Sequence, residues 1–206
     1  MISFENPANS DVLQQKKIES FLSDYNPHFF QDIFNENIVN EISLYVKENL
    51  IDIDHLSIIG LGGSSLGTKA LVEALDLNEK VSFFDNVDAF QFAKKIKKIN
   101  LSTNHWLVIS KSGRTQEVMT LLDFIVQTDS KALDRLTVIT SDDQNPLRKW
   151  ADSKGLPLFF ISDEIGGRFS VFTAVALLPM IFLNQDLEEI KRGINWAFKN
   201  LSLIHI

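Results

Sequence analysis

Three segments of this chain have the composition of loops that bind a phosphate group. The first, Gly60–Gly67, reads Gly-Leu-Gly-Gly-Ser-Ser-Leu-Gly and lies between an apolar run and a helical segment. Glycine lets the backbone turn tightly and approach a ligand, and N–H groups at a helix start attract an anion. Ser65 breaks the dinucleotide-binding pattern, and Thr68-Lys69 breaks the nucleotide P-loop pattern. An ordinary tight turn is the alternative interpretation.

The second segment, Ser110–Glu117, combines three hydroxyl groups, a glycine and a lysine just before another helical segment. Hydroxyl and N–H groups donate to the oxygens of a phosphate monoester, and Lys111 supplies positive charge. The alternative is a capped helix start, with Thr115 as N-cap and Glu117 as a favourable charge in the first turn. Capping alone does not require so many donors, so we favour a phosphate site.

The third segment, Glu164–Ser170, contains Gly166-Gly167 followed by Arg168. The two glycines permit a close approach of the backbone, and the guanidinium group can stabilise negative charge that develops during a reaction. The alternative is a surface arginine beside a helix capped by Ser170.

The elements that would position these segments are short apolar runs alternating with helical segments. This alternation predicts an α/β fold, in which a five-stranded parallel sheet is flanked by helices on both faces (doubly wound) and preceded by two helices. The predicted strands are 56–61, 81–84, 106–110, 136–141 and 158–161. The predicted helices are 11–25, 36–50, 67–77, 89–98, 115–128, 146–153, 171–183 and 186–200. Ligands of such sheets bind at the carboxyl ends of the strands, where the three segments lie.

Composition narrows the function classes. A net charge of -7 argues against a broad nucleic-acid-binding surface but permits a small anion pocket. The absence of cysteine excludes disulfides, zinc–thiolate sites and cysteine nucleophiles. We find no signal peptide and no apolar run near the roughly 18 residues that span a bilayer, so we expect a cytoplasmic protein without a membrane partner.

In order and spacing, the three segments together resemble the glucose-6-phosphate isomerase family. The stretch Asp163–Ser170 is similar to that family's signature, whereas a Ser-Lys-Ser-Gly-x-Thr loop is shared more widely among sugar isomerase (SIS) domains. The resemblance covers roughly residues 30–200 and implies an SIS-type, flavodoxin-like sheet. One departure is Gly67-Thr68, where the family has Gly-Pro; we expect it to matter little.

The resemblance also implies roles for individual residues. It places Gly63 and Ser64 at the substrate, and Gly167 and the catalytic Arg168 beside the reacting end of the sugar. The residues expected to hold the phosphate are Ser110, Lys111, Ser112 and Thr115.

The activity implied is the reversible conversion of glucose 6-phosphate to fructose 6-phosphate through a cis-enediol(ate), a step of glycolysis and gluconeogenesis. It requires no metal or organic cofactor, and the family works as a homodimer. Its glutamate base, histidine and lysine come from later segments that this chain lacks, so we expect a truncated chain that is inactive alone. We interpret His28, His55 and His105 as structural or solvent-exposed residues.

The domain organisation follows from this resemblance. We expect an amino-terminal helical segment at 1–50, a sugar-phosphate-binding domain at 51–185 and the start of a connecting helix at 186–200. Residues 201–206 match the translation of a transposase sequencing adapter, so we expect a non-native tail. Two alternatives remain: a phosphosugar-binding module without turnover, and an isomerase of another phosphosugar.

Overall fold

A five-stranded, entirely parallel sheet forms the centre of the fold and confirms the predicted architecture. The computed structural model describes residues 28–204, so the predicted helix over 11–25 lies outside the described residues. The strands are β1 (His55–Ile59), β2 (Val81–Phe84), β3 (Asn104–Ile109), β4 (Leu136–Ser141) and β5 (Leu158–Ile161). Their order across the sheet is β2-β1-β3-β4-β5.

Helices connect the strands in the predicted alternation. They are α1 (Gln31–Phe34), α2 (Glu36–Asn49), α3 (Leu66–Ala74), α4 (Ala89–Ile96), α5 (Gln116–Thr128), α6 (Pro146–Lys154), α7 (Ala174–Phe182) and α8 (Leu187–Ile204). Short 3-10 turns occupy His28–Phe30, Gly62–Ser64, Ala132–Arg135 and Gly167–Phe172. Among residues 28–204, no helix is both long and apolar enough to cross a membrane.

Several helix ends differ from the sequence prediction. α3 ends at Ala74 rather than at 77, because the chain turns back at Asp76, whose φ is 55°. The apolar segment predicted as one helix over 171–183 begins with a 3-10 turn, and α7 starts only at Ala174. Residues 29–185 form one compact unit. α8, whose start the sequence analysis placed within 186–200, belongs to a second unit and extends to Ile204.

The core lies on both faces of the sheet because the central strands bury their side chains on both faces. Every residue of β3 and β4 is buried, as expected for a sheet covered by helices on both sides. α5 shows how a helix packs against this sheet: its buried residues recur at helical spacing, at Val118, Leu121, Leu122 and Ile125.

The strand order determines where a ligand can bind. The chain runs from β1 outwards to β2 and then returns to place β3 on the other side of β1. The connections therefore diverge between β1 and β3, and their carboxyl ends border the crevice in which such sheets bind ligands. The first and second glycine- and hydroxyl-rich segments follow these two strands.

A proline inside α7 is accommodated by a bond from α3. Pro179 has no N–H, so it cannot donate to the carbonyl of Val175 four residues earlier. The hydroxyl of Thr68 donates to that carbonyl at 3.1 Å, and Thr68 and Val175 are both fully buried. Thr68, the residue at which the sequence departs from the pattern that it resembles, thus has a specific buried partner.

We predict that Thr68→Val lowers the free energy of unfolding by about 1–3 kcal/mol, because the buried Val175 carbonyl loses its donor. Urea denaturation of the purified protein measures this change. Adding Pro179→Ala should reduce the cost of Thr68→Val, since an alanine in place of the proline restores an N–H to the carbonyl. The control is Thr120→Val: Thr120 bonds the carbonyl of Gln116 on an exposed helix face, where water replaces the hydroxyl. Equal costs at both positions would contradict the prediction.

A buried polar cluster lies at the amino-terminal end of the sheet. The His105 imidazole is 4% exposed, and its Nε2 lies 2.8 Å from the Thr137 hydroxyl, which Tyr45 also contacts. Burial, with a contribution from the positive charge of Arg135, lowers the pKa of His105 to about 3. His105 is therefore neutral in the folded protein and has a structural role, as the sequence analysis predicted.

We predict that His105 makes the fold sensitive to acid. Its folded pKa lies below the unfolded value of about 6.5, so its contribution to stability is complete above that pH and is lost as pH falls towards 3. In His105→Gln, the dependence of the free energy of unfolding on pH between about 6 and 4.5 should flatten by up to about 1.4 kcal/mol per pH unit. Denaturant unfolding at several pH values measures it. The half-buried His55 is the control, because His55→Gln should flatten the curve less.

Candidate functional site

The loop after β1, Gly60–Ser65, is a tight turn that opens helix α3. Gly62 adopts a φ of 56°, a conformation that favours glycine, and the chain then forms a 3-10 turn. The N–H groups of Ser64 and Ser65 donate to the carbonyls of Leu61 and Gly62. The Ser64 side chain is half-buried, whereas Ser65 is fully buried beneath the turn.

The loop after β5 packs directly against this first loop, backbone to backbone. A Cβ atom at Gly63 would lie 2.3 Å from the carbonyl oxygen of Gly167, so no other residue fits at 63 without moving the loop after β5. The Ser170 hydroxyl, buried at the contact, lies 3.2 Å from the Gly63 carbonyl and 2.8 Å from that of Gly167. Two of the predicted site residues, Gly63 and Gly167, are therefore neighbours in space.

The loop after β3, Ser110–Thr115, gathers three hydroxyl groups at the start of α5. The Thr115 hydroxyl lies 3.1 Å from that of Ser110 and 3.5 Å from that of Ser112. Thr115 occupies the N-cap position, but its side chain makes no capping hydrogen bond. The simpler interpretation, in which Thr115 serves as a side-chain cap, is therefore wrong: its hydroxyl faces the other hydroxyls of the loop.

Lys111 connects the loop after β3, here called the second loop, to the loop after β5, here called the third loop. Its ammonium group donates to the carbonyl oxygens of Asp163 at 2.9 Å and Ile165 at 2.7 Å. An ammonium group has three donors, so these two bonds leave one for a ligand. The structure therefore gives Lys111 a second task that the sequence did not indicate, the attachment of the loop that carries Gly167 and Arg168.

Arg168 is exposed on the third loop. It has no ion-pair partner among residues 28–204, and its guanidinium carbon lies 6.0 Å from the centre of the neighbouring Phe169 ring. The Phe169 ring in turn stacks on Phe29 at 5.1 Å. The guanidinium group thus faces solvent at the rim of the site. The backbone of the third loop is held by the aromatic stack and by the contact with Gly63.

Residues at the end of β4 and in the loop that follows it pack against the second loop and hold it through hydrogen bonds. The sequence analysis did not select these residues. The Thr140 hydroxyl donates to the Ser110 carbonyl, and the backbone N–H of Ser141 donates to the Lys111 carbonyl. Asn145 is fully buried beside Gly113. Asn145-Pro146 is a recognisable helix start, since the Asn145 side chain accepts from the N–H of Arg148. The sequence could have indicated this cap, but not that the same amide lies under the second loop.

The electrostatic character of the site is mixed. Lys111 and Arg168 bring positive charge, and Asp143 lies on the supporting loop. Hydrogen bonds from Ser141 and Asn145 hold the pKa of Asp143 below its usual range, so its carboxylate is charged at neutral pH. Within residues 28–204, no group of three or more acidic or histidine side chains is arranged to hold a metal ion.

The chain is similar in sequence to known proteins of one family. The family model for phosphoglucose isomerase matches residues 41–197. The chain is 30% identical over 172 residues to a glucose-6-phosphate isomerase of Campylobacter jejuni, covering 80% of this chain and 42% of the relative. It is 34% identical over 169 residues to that of Methanocaldococcus jannaschii, covering 80% and 40%. The chain thus spans about two fifths of the length of these relatives.

Solved structures show the same fold. A hypothetical protein of Thermus thermophilus superposes with a TM-score of 0.79 at 25% identity, over 93% of this chain and 49% of that one. A glucose-6-phosphate isomerase of Chlamydia trachomatis gives a TM-score of 0.64 at 22% identity, over 88% and 32%. Because the family model covers most of the chain and the three motifs lie within its match, this chain belongs to the phosphoglucose isomerase family.

Proposed function

We propose that this chain forms the sugar-phosphate-binding part of a glucose-6-phosphate isomerase, which interconverts glucose 6-phosphate and fructose 6-phosphate. One observation supports this proposal above others: the three loops that follow β1, β3 and β5 contact one another at the carboxyl ends of the strands. Gly63 contacts Gly167, and Lys111 bonds the carbonyl of Ile165. A phosphate-binding loop and an arginine-bearing loop are thereby joined in one assembly.

The second loop has the chemistry of a phosphate site. In the proposed complex, the hydroxyls of Ser110, Ser112 and Thr115 donate to the phosphate oxygens, and Lys111 uses its remaining N–H. The start of α5, a helix of 13 residues, adds the partial positive charge of its N-terminus. Hydrogen bonds to a charged group are stronger than those to a neutral one, which favours a phosphosugar over the free sugar.

The sugar would extend from this phosphate towards Gly63, Ser64 and Gly167. Isomerisation moves one proton between C2 and C1 of the open-chain sugar and another between the two oxygens, so atoms balance without a cofactor. Removal of the first proton places negative charge on the neighbouring oxygen, and the Arg168 guanidinium is the group of this chain that we assign to that charge. We assign the proton-transferring base to no residue of this chain.

Because the chain spans about two fifths of its relatives, we propose that it belongs to a longer polypeptide that supplies the base and the ring-opening groups. We propose further that the complete protein is a cytoplasmic homodimer with shared active sites. A phosphosugar-binding module without turnover remains the alternative for this chain by itself, since the three loops described here provide binding groups rather than a base.

We predict that the 206-residue chain binds glucose 6-phosphate weakly and in preference to glucose. Removal of a hydrogen bond to a charged group costs roughly 1.5–3 kcal/mol, so Ser112→Ala or Thr115→Ala should weaken binding about tenfold or more. NMR titration measures the affinities. The control is Thr128→Ala at the opposite end of α5, where the hydroxyl bonds the carbonyl of Phe124. Equal affinities for glucose and glucose 6-phosphate would refute the phosphate site.

In the longer enzyme, we predict that Arg168→Ala lowers kcat by about 10²–10³ and changes KM much less. An interaction that strengthens as oxyanion charge develops lowers the barrier more than it assists binding. Arg168→Lys should recover only part of the rate, because an ammonium group does not reproduce the planar guanidinium. Steady-state kinetics and melting temperature, measured on one preparation, distinguish catalysis from folding.

Arg192→Ala is the control for this substitution, since Arg192 is an exposed arginine on α8 paired with Glu189. If Arg168 merely braces its turn, Arg168→Ala will melt at a lower temperature with near-normal kcat. That result would remove Arg168 from the catalytic groups.

A further inference from the structure

The second loop is held in place by hydrogen bonds to its backbone carbonyls. The Ser110 carbonyl accepts from the Thr140 hydroxyl at 2.8 Å, and the Lys111 carbonyl accepts from the backbone N–H of Ser141 at 3.1 Å. The Gly113 carbonyl accepts from the N–H of Leu147 at 3.2 Å. Each of these donors comes from β4 or from the start of α6. The carbonyls of Ser110, Lys111 and Gly113 are therefore all bonded by donors from β4 and the start of α6.

Asn145 lies at the centre of these donors. It is fully buried, and its amide nitrogen donates to the Thr140 hydroxyl at 2.9 Å and to the Asp143 carboxylate at 2.8 Å. Because the Thr140 oxygen accepts from Asn145, its own proton is directed at the Ser110 carbonyl. A relay thus runs from Asn145 through Thr140 to Ser110, whose hydroxyl is 3.1 Å from that of Thr115.

Gly113 shows how closely the loop lies on this amide. Its φ is 58°, and a Cβ atom at this position would be 1.8 Å from Oδ1, the side-chain amide oxygen of Asn145. The Asn145 side chain therefore occupies the space that a residue other than glycine would need at 113. The loop and the amide are complementary in shape as well as in hydrogen bonding.

We propose that Asn145 is a positioning residue for the phosphate site: through Thr140 and its contact with Gly113, it holds the second loop with the Ser110, Ser112 and Thr115 hydroxyls together. A simple helix cap would need only the side-chain oxygen Oδ1 of Asn145, which accepts from the backbone N–H of Arg148 at 2.9 Å. The amide nitrogen, which faces Thr140 and Asp143, is the part that capping leaves unexplained. For its binding measurement, this inference rests on the proposed phosphate site.

The test separates the capping role of the Asn145 side-chain oxygen from the role of its amide nitrogen. Asn145→Ser keeps a good N-cap, because serine caps helices about as well as asparagine, but removes the amide nitrogen. The matched control is Asn35→Ser, since Asn35 caps α2 through its carbonyl oxygen and is remote in sequence from the loop. The ligands are inorganic phosphate and glucose 6-phosphate, titrated into the 206-residue chain by NMR.

We expect Asn145→Ser to bind both ligands about tenfold more weakly, and Asn35→Ser to bind like the unchanged protein. Thr140→Val breaks the relay one step later, so it should also weaken binding, and the double variant should bind no more weakly than Asn145→Ser alone. A merely structural role would give independent, additive losses. A folded Asn145→Ser protein with unchanged affinity, or additive losses in the double variant, would overturn the inference.

Two further outcomes are also decisive. If Asn145→Ser does not fold, Thr140→Val alone decides, and unchanged affinity in that variant rejects the relay. If the unchanged chain binds neither ligand, the proposed function loses its phosphate site, and hydrogen exchange then tests the positioning role separately. The amides of Gly113 and Leu147, which bond within this assembly, should exchange faster in Asn145→Ser than in Asn35→Ser. Equal exchange rates would reject the role of Asn145.

Discussion

The backbone contact between Gly63 and Gly167 is the constraint on which the candidate site depends. A Cβ atom at 63 would overlap the Gly167 carbonyl, so the loops after β1 and β5 can meet only because one of them has no side chain there. β5 is the edge strand, and β3 and β4 lie between it and β1. The contact therefore brings a distant arginine-bearing turn to the crevice between β1 and β3. The Lys111 ammonium fastens the same turn to the loop after β3.

Several polar groups buried beneath the site have specific partners in the protein. Thr68 supplies a donor to the Val175 carbonyl that Pro179 leaves without one, and Asn145 fixes the direction of the Thr140 hydroxyl. An unsatisfied buried carbonyl costs more than a typical hydrogen bond contributes, so such partners restrict the backbone to one arrangement. For the proposed reaction such rigidity is an advantage, since donors must already be in place when charge develops.

Most of the fold could be predicted from the sequence because its elements are local patterns. Five apolar runs and the intervening helical segments indicated the parallel sheet, and glycine with hydroxyl residues after three strands indicated the loops. Details that depend on tertiary contacts could not be predicted. The Thr115 hydroxyl turns towards Ser110 instead of capping α5, and the helix predicted from 171 begins as a 3-10 turn where Ser170 bonds the Gly63 carbonyl.

The sequence by itself determined the class of fold, the family resemblance and the residue types of the site, because hydrophobic periodicity and motif spacing are properties of neighbouring residues. The strand order followed from the flavodoxin-like sheet that the resemblance implies, and the tertiary structure confirmed it and with it the position of the crevice. Only the tertiary structure decided that Lys111 joins two loops and that Asn145 lies under Gly113. These facts depend on contacts between residues far apart in the chain, where packing and the pairing of buried polar groups select one partner among many.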